Sequence, residues 1–308
     1  MKSKIVIGVD VGGSHITSAA IDMVNLKIIP NSTFSTKIDS KASKDIILSK
    51  WSEVINKTIA TIPETLQIEV GFAMPGPFHY ATGLAKFENN DKYENLFNVS
   101  IPAELSKYLK SSKVEMRFLN DATSFGVGVS CVGDAKNCKK IIAITLGTGF
   151  GSTFIKEGLP QVTANDVPVD GCLWDKPFKN GIADEYFSTR WFVKKYLELS
   201  GEEVNGVKEI VEANTQHSKS VFLEFSSNFV EFMSPVIEKY QPELIVMGGN
   251  ISNASDFFLS SIENKLNENG FNPKIAISTL MEEAALIGSA QLFSPSFWDK
   301  VKNDLPNN

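Results

Sequence analysis

Apolar positions along the chain follow two periods, and their order predicts an α/β protein. Residues 4–10 form a β-branched apolar run that suits a buried strand; Gly12-Gly13 breaks it, and Ile16 to Ile21 resumes it. Lys27 to Phe34 predicts a third strand after a turn near Asn25. Between Ser43 and Ile62, Ile46, Ile47, Trp51, Val54, Ile55 and Ile59 recur at helical spacing. Ile68 to Met74 predicts a strand ended by Pro75-Gly76-Pro77, and Val114 to Leu119 another. The second half restates the opening: Lys140 to Leu146, an interruption at Gly147-Thr148-Gly149-Phe150-Gly151, then Ser152 to Ile155. Helical patterns follow over 181–199 and 218–240, then a strand Glu243 to Met247, a helix over 254–267, a strand over 274–278 and a final helix over 282–293. Lys302 to Asn308 reads as a frayed tail. The two strand–glycine turn–strand units point to a duplication and two related α/β lobes, a smaller one at 1–117 rejoined by 285–308 and a larger one at 118–284.

Composition narrows the function class. The 308 residues are 43% hydrophobic and 21% charged, an ordinary globular balance. A net charge of −6 argues against a nucleic-acid binder, which neutralises phosphates with surplus Lys and Arg. No apolar run approaches the roughly 20 residues of a membrane span. Residues 1–9 mimic a signal peptide, but Asp10 breaks the apolar stretch and no cleavage signal follows. Three cysteines (Cys131, Cys138, Cys172) make no paired framework and no C-x-x-C, so the expected compartment is cytoplasmic.

Glycine-rich turns between strands let backbone N–H groups approach an anion. Three such turns occur: Gly12-Gly13-Ser14 after Asp10, Gly147–Gly151, and Gly248-Gly249-Asn250. Each alone is an ordinary turn; the paired hydroxyls Ser14 and Thr148, at matching points of the two halves, are placed to cradle a polyphosphate. No P-loop, Rossmann or protein-kinase signature is present. Asp10 suits either a turn cap or a Mg²⁺ site reached through water. Asn120-Asp121, after a strand, suits either a helix N-cap or a general base.

Taken in order, these segments resemble the ROK family of sugar kinases and related repressors, within the actin/hexokinase/heat-shock-70 superfamily. Asp10-Val11-Gly12-Gly13-Ser14 resembles its first phosphate motif and Met74-Pro75-Gly76-Pro77 its sugar-side turn. Leu119-Asn120-Asp121-Ala122 is similar to the catalytic motif, and Leu146-Gly147-Thr148-Gly149-Phe150-Gly151-Ser152 to the second phosphate motif. Ile245-Val246-Met247-Gly248-Gly249 resembles the nucleoside-side turn, and residues 285–290 the closing helix. The resemblance implies a two-lobed actin-like (ribonuclease H-like) fold with a central cleft. It implies ATP and Mg²⁺ across Asp10, Gly12, Gly13, Ser14, Gly147, Thr148, Gly149, Gly151, Gly248 and Gly249, with Mg²⁺ at Asp10. Asp121 would be the base that takes the proton of a hexose 6-hydroxyl, glucose by default. Asn120, Pro75 and Gly76 would touch the sugar, with a further contact among Glu88, Asn89 and Asn90. The expected assembly is a homodimer.

Departures from the family are concentrated on the sugar side. The Cys-rich zinc core of many members is missing, so no zinc is expected. Val167-Pro168-Val169-Asp170-Gly171-Cys172-Leu173-Trp174 stands where Glu-x-Gly-His usually lies, a segment that zinc-free polyphosphate glucokinases still retain. Gly181-Ile182-Ala183-Asp184-Glu185-Tyr186-Phe187-Ser188 resembles Gly-Cys-Leu-Glu-x-Tyr-x-Ser, which puts Asp184 at the sugar-binding Glu. A polyphosphate-dependent kinase and a catalytically weak sugar or nucleotide sensor are the alternatives. A repressor would need a DNA-binding segment ahead of the first strand, for which a strand beginning near residue 4 leaves no room.

Overall fold

The computed structural model describes residues 4–63, 67–88, 92–133, 135–280 and 282–305. Ile5–Val11 (β1) and His15–Asp22 (β2) form an antiparallel hairpin with the first glycine turn at its tip. The strand expected over Lys27 to Phe34 divides into Lys27–Ile28 (β3) and Phe34–Lys37 (β4), both paired to β2. Asn31 takes a left-handed backbone (φ 61°), and the Ser32 hydroxyl donates to the Ile29 carbonyl at 2.7 Å, which turns the chain between them. Lys44–Ile59 (α1) buries Ile47, Leu48, Trp51, Val54 and Ile55, whereas Ile46, assigned by its spacing to the apolar face, is exposed.

Ile68–Met74 (β5) lies parallel to β1. Phe78–His79 (β6) and Leu84–Ala85 (β7) form a small hairpin, followed by Ile101–Leu105 (α2). Val114–Asn120 (β8) completes the first sheet parallel to β5, in the order β3-β2-β1-β5-β8 with β4 also on β2. Asp121–Val132 (α3) follows at once.

Lys140–Leu146 (β9), Phe150–Lys156 (β10) and Leu159–Pro160 (β11) form the second antiparallel unit. Pro177–Phe178 (β12) and Gly181–Ile182 (β13) pair with each other. The helix expected over 181–199 begins later and is cut at Ser188, whose backbone is extended (φ −97°, ψ 164°) between Asp184–Phe187 (α4) and Thr189–Ser200 (α5). Val207–Ala213 (α6) and Gln216–Tyr240 (α7) follow, the latter opened by a Thr215–Ser218 capping box. Leu244–Gly248 (β14), Leu259–Glu268 (α8), Lys274–Ile277 (β15), Glu282–Ala290 (α9) and Pro295–Val301 (α10) complete the strands and α-helices among the described residues. The α10 helix was not foreseen. Nor is the tail frayed as far as it is described: Leu305 is buried, and Phe297 and Val301 join the same core.

The second sheet runs β11-β10-β9-β14-β15. Its antiparallel hairpin followed by two parallel strands (β10-β9-β14-β15) repeats the first sheet's β2-β1-β5-β8, so the duplication read from the glycine turns is a repeat of topology. Two helices lie between the sheets. Helix α9 lies against the first sheet so closely that a Cβ on Gly8 would stand 2.2 Å from the Leu286 carbonyl oxygen, and one on Gly71 2.1 Å from that of Ser289. It crosses α3 with equal intimacy: a Cβ on Gly288 would meet the Ser124 carbonyl oxygen at 1.8 Å, and one on Gly128 that of Ala284 at 1.9 Å. The small residues after Asp121 thus serve a backbone-to-backbone helix crossing. One apolar core gathers the first sheet, α1, α9 and the near face of the second sheet; another fills the space between the second sheet and α4, α5, α7 and α8.

Candidate active site

Register assembles the first part of the site. In the parallel pairs Asp10 stands beside Ala73, and Met74 beside Asn120. Asp10, Pro75-Gly76 and Asn120-Asp121 therefore leave the first sheet at the carboxyl ends of adjacent strands, where open α/β sheets carry their ligands. In the second sheet Thr145 stands beside Gly248, so the Gly147–Gly151 and Gly248-Gly249 turns also emerge together.

Of the two readings open for Asn120-Asp121, the cap falls to Asn120. Its Oδ1 accepts the Thr123 N–H at 3.1 Å, and its Nδ2 donates to the Tyr80 hydroxyl at 3.2 Å. Asp121 opens α3 with Oδ1 on the Ala122 N–H at 2.8 Å. Burial raises its pKa above the ordinary carboxylate value, with the Ala122 amide and the Lys92 charge pulling the other way. Asp10 is pushed up to about 7, first by burial, then by the charges of Asp121 and Glu282, against the opposing influence of His15. The negative charges of Asp121 and Glu282 near Asp10 favour a cation beside it. Among the described residues no group of three or more His, Cys, Asp or Glu is placed to hold a metal ion. A single carboxylate fits Mg²⁺, which keeps waters and takes its other oxygens from substrate phosphates.

At the first glycine turn, the Gly12 N–H donates to the His15 carbonyl at 2.9 Å and the Gly12 carbonyl accepts the Tyr93 hydroxyl at 2.5 Å. The N–H groups of Gly13 and Ser14 have no acceptor among the described residues, and Ser14 is exposed. The second turn is held from α5. The Thr189 N–H and hydroxyl both donate to the Gly147 carbonyl at 2.8 Å, and Arg190 donates to the Thr148 carbonyl at 3.1 Å. Thr148 is exposed, and a Cβ at Gly147 would meet open space. Gly151 is small for another reason: a Cβ there would lie 2.3 Å from Thr145 Oγ1 and 2.8 Å from Ala122 Cβ, so it lets β10 approach the residue next to Asp121. Gly248 leaves room for the Phe125 ring, and Gly249, at φ 85°, lies against the Leu146 carbonyl at the base of the second turn.

Asp184 opens α4. Its Oδ1 accepts the Phe150 N–H at 2.7 Å and its Oδ2 the Arg190 guanidinium, so one carboxylate oxygen is engaged by the second glycine turn and the other by α5. Asn89 and Asn90 lie outside the described residues, and Glu88 is exposed. The departing segment forms a tight turn at Val169–Gly171 and is fixed to β10 by the Leu173 N–H on Ser152 Oγ at 2.9 Å. Four participants were missed by sequence reasoning. Tyr80, buried with its hydroxyl on the Met74 carbonyl at 3.2 Å, joins Asn120 to the Pro75-Gly76 turn. Lys92 and Tyr93 reach the first turn, and Arg190 the second. Tyr80 lies three residues past Pro77, Lys92 two past Asn90 and Arg190 two past Ser188, each just outside a segment that the family pattern marks.

The ROK family model matches residues 6–165, more than half of the chain. The protein belongs to the ROK family. A curated relative, the N-acetyl-D-glucosamine kinase of Haemophilus influenzae, is 27% identical over 80% of this chain and 84% of its own length. The ROK family glucokinase of Streptomyces griseus, solved with glucose and AMPPNP, superposes with a TM-score of 0.69 at 20% identity, covering 94% of this chain and 99% of its own. The inorganic polyphosphate/ATP-glucomannokinase of Arthrobacter sp. strain KM does so at 0.69 and 22%, covering 95% and 99%. The fold of this ROK protein is the two-lobed actin-like ATPase fold. No helix among its described residues is long and apolar enough to cross a membrane.

Proposed function

We propose that this protein is a sugar kinase that transfers the γ-phosphoryl group of ATP to the 6-hydroxyl of a hexose, with Asp121 as general base. The observation that carries the reading is Asp121 itself: a carboxylate made more basic by burial, at the carboxyl end of β8, near the charge of Asp10 and next to the Ala122 that Gly151 of the second turn approaches. In the reaction the hydroxyl oxygen bonds to phosphorus, the bond from phosphorus to the bridging oxygen of ADP breaks, and the hydroxyl proton passes to Asp121. The Gly13, Ser14, Thr148 and Gly149 amides would hold the phosphates, and Asp10 would hold Mg²⁺ through water; that ion spreads the charge of the transferring group. Gly12, Gly147, Gly151, Gly248 and Gly249 would shape the nucleotide's bed. Asn120 and Tyr80, with Pro75 and Gly76, would face the sugar. The lobes 1–117 with 285–308 and 118–284 would close on it, and the chain would act as a homodimer in the cytoplasm. Glucose and N-acetylglucosamine, substrates named for the relatives, are the first sugars to try.

The test is ADP release from Mg-ATP over a panel of hexoses and N-acetylhexosamines, for wild type and Asp121→Asn. Loss of a positioned base costs about 10²–10⁴-fold in kcat, and nucleotide affinity should stay within about twofold. Because Asp121 acts when ionised and its pKa is raised, kcat/KM should climb with pH through a limb above the ordinary carboxylate range. Turnover with inorganic polyphosphate and none with ATP would select the first of the two donors named for the Arthrobacter protein. Ligand-dependent stabilisation with no turnover of any sugar would replace the kinase by a sensor.

A further inference from the structure

Lys92 has no part in any motif above, yet its position is fixed by two independent features. Tyr93, the next residue, is fully buried, lies edge-on to Trp51 with ring centroids 5.5 Å apart, and places its hydroxyl on the Gly12 carbonyl. That anchor pins the chain at 92–93 to the first glycine turn. The half-buried Lys92 side chain then lies flat on Gly13: a Cβ there would stand 3.1 Å from its Cε, 3.3 Å from its Cδ and 3.4 Å from its Nζ. Gly13 is small where the stem of a lysine crosses it. On the far side the ammonium is near enough to Asp121 for its charge to lower that carboxyl's pKa. It therefore stands between the first glycine turn, whose Gly13 and Ser14 N–H groups have no acceptor among the described residues, and the Asp121 carboxylate.

We propose that Lys92 contacts the equatorial oxygens of the donor's γ-phosphoryl group from the side of the first glycine turn. The inference rests on the kinase reading and adds a residue to it. As the sugar oxygen bonds to phosphorus and the bond to ADP breaks, the hydroxyl proton goes to Asp121 and the electron pair to the departing ADP. Lys92 keeps all three of its protons and offsets charge on the equatorial oxygens. A fixed cation serves here better than a neutral donor, because Asp10 and Asp121 would otherwise repel the incoming phosphate.

The experiment measures ATP and ADP affinity by calorimetry, and ADP release with the sugar panel, for wild type, Lys92→Met and Lys92→Arg. Methionine keeps an alkyl stem on Gly13, so the first turn stays packed. A lost charge-assisted contact should weaken ATP binding about tenfold and leave ADP within about twofold, since ADP lacks the group concerned. In turnover, kcat should fall about 10²-fold, and Lys92→Arg should recover part of both losses. Equal weakening of ATP and ADP would make Lys92 a structural prop and overturn the proposal, as would no weakening. A wild type that binds ATP yet phosphorylates no sugar refutes the kinase reading alone, because the ATP-against-ADP comparison still judges Lys92. A wild type that fails to bind ATP overturns both.

Discussion

The first glycine turn, Gly12-Gly13-Ser14, and the second, Gly147–Gly151, occupy matching places in two sheets of the same topology. Their supports differ in kind. A fully buried tyrosine from a distant loop holds the first, its ring packed on Trp51 and Phe87 and its hydroxyl on Gly12. An ionic clamp at a helix junction holds the second: Asp184 on the Phe150 amide, Arg190 bridging Asp184 to the Thr148 carbonyl, Thr189 on Gly147. Arg190 is 63% exposed, while Tyr93 is fully buried. The first turn is therefore set by core packing and the second by polar contacts open to solvent. Repeated topology fixes where a glycine turn lies; what holds it rigid is supplied separately in each half.

Asp184→Ala should break this comparison most strongly. It leaves the Phe150 amide without its acceptor and frees Arg190, a loss of about 1–3 kcal/mol for an orphaned buried donor. ATP affinity should fall about tenfold as Thr148 and Gly149 lose their fixed geometry. Asp184→Asn keeps an acceptor for Phe150 and loses only the ion pair, so it should fall between wild type and alanine in thermal unfolding and calorimetry. Unchanged ATP affinity in the alanine variant would show that the clamp does not govern the second turn.

Tyr93→Phe probes the other support with a smaller stroke. The ring and its packing remain, and only the hydroxyl on Gly12 goes, at a cost of about 1 kcal/mol. Thermal unfolding should register that loss, and ATP affinity should shift by less than the Asp184→Ala change. A larger effect on ATP than Asp184→Ala produces would reverse the order of the two supports.

The sequence made the two turns visible and hid their supports, for a physical reason. β-branched runs ended by paired glycines are local, so β1, β2, β9 and β10 could be read directly. Tyr93 touches Gly12 across 81 residues, and Arg190 touches Thr148 across 42; no local period records either contact. Asp184 shows what a motif leaves out: the family pattern puts it at the sugar, and it says nothing of the Phe150 amide and the Arg190 guanidinium that engage its two oxygens in the structure. The small residues after Asp121 were legible as a stripe, whereas their purpose depends on α9, which joins the crossing from the far end of the chain.

A third contact at the first turn gives the smallest expected effect and the most specific sign. His15 Nε2 lies 2.8 Å from Glu282 Oε1, while Thr17 donates to Glu282 Oε2 at 3.1 Å, so β2 is tied to the first residue of α9. The partners are 36% and 52% exposed, which limits the pair to about 0–1 kcal/mol. The hydrogen bond to Glu282 raises His15 above its ordinary 6.5, and the bond to His15 lowers Glu282 below its ordinary 4.5. The His15 contribution is therefore complete below pH 6.5 and fades as pH rises through its raised value. That of Glu282 is present above 4.5 and fades as pH falls through its lowered value. Glu282 also repels Asp10, a penalty that grows as Asp10 ionises near pH 7. Glu282→Gln should thus destabilise the protein at mildly acidic pH, where the ion pair is intact. At alkaline pH it should be neutral or stabilising, because the pair has gone and the repulsion has been removed. Thermal unfolding of both proteins across that range in low salt reads the crossover, which should shrink in high salt. A difference of constant sign and size would mean that His15 and Asp10 do not respond to the Glu282 charge.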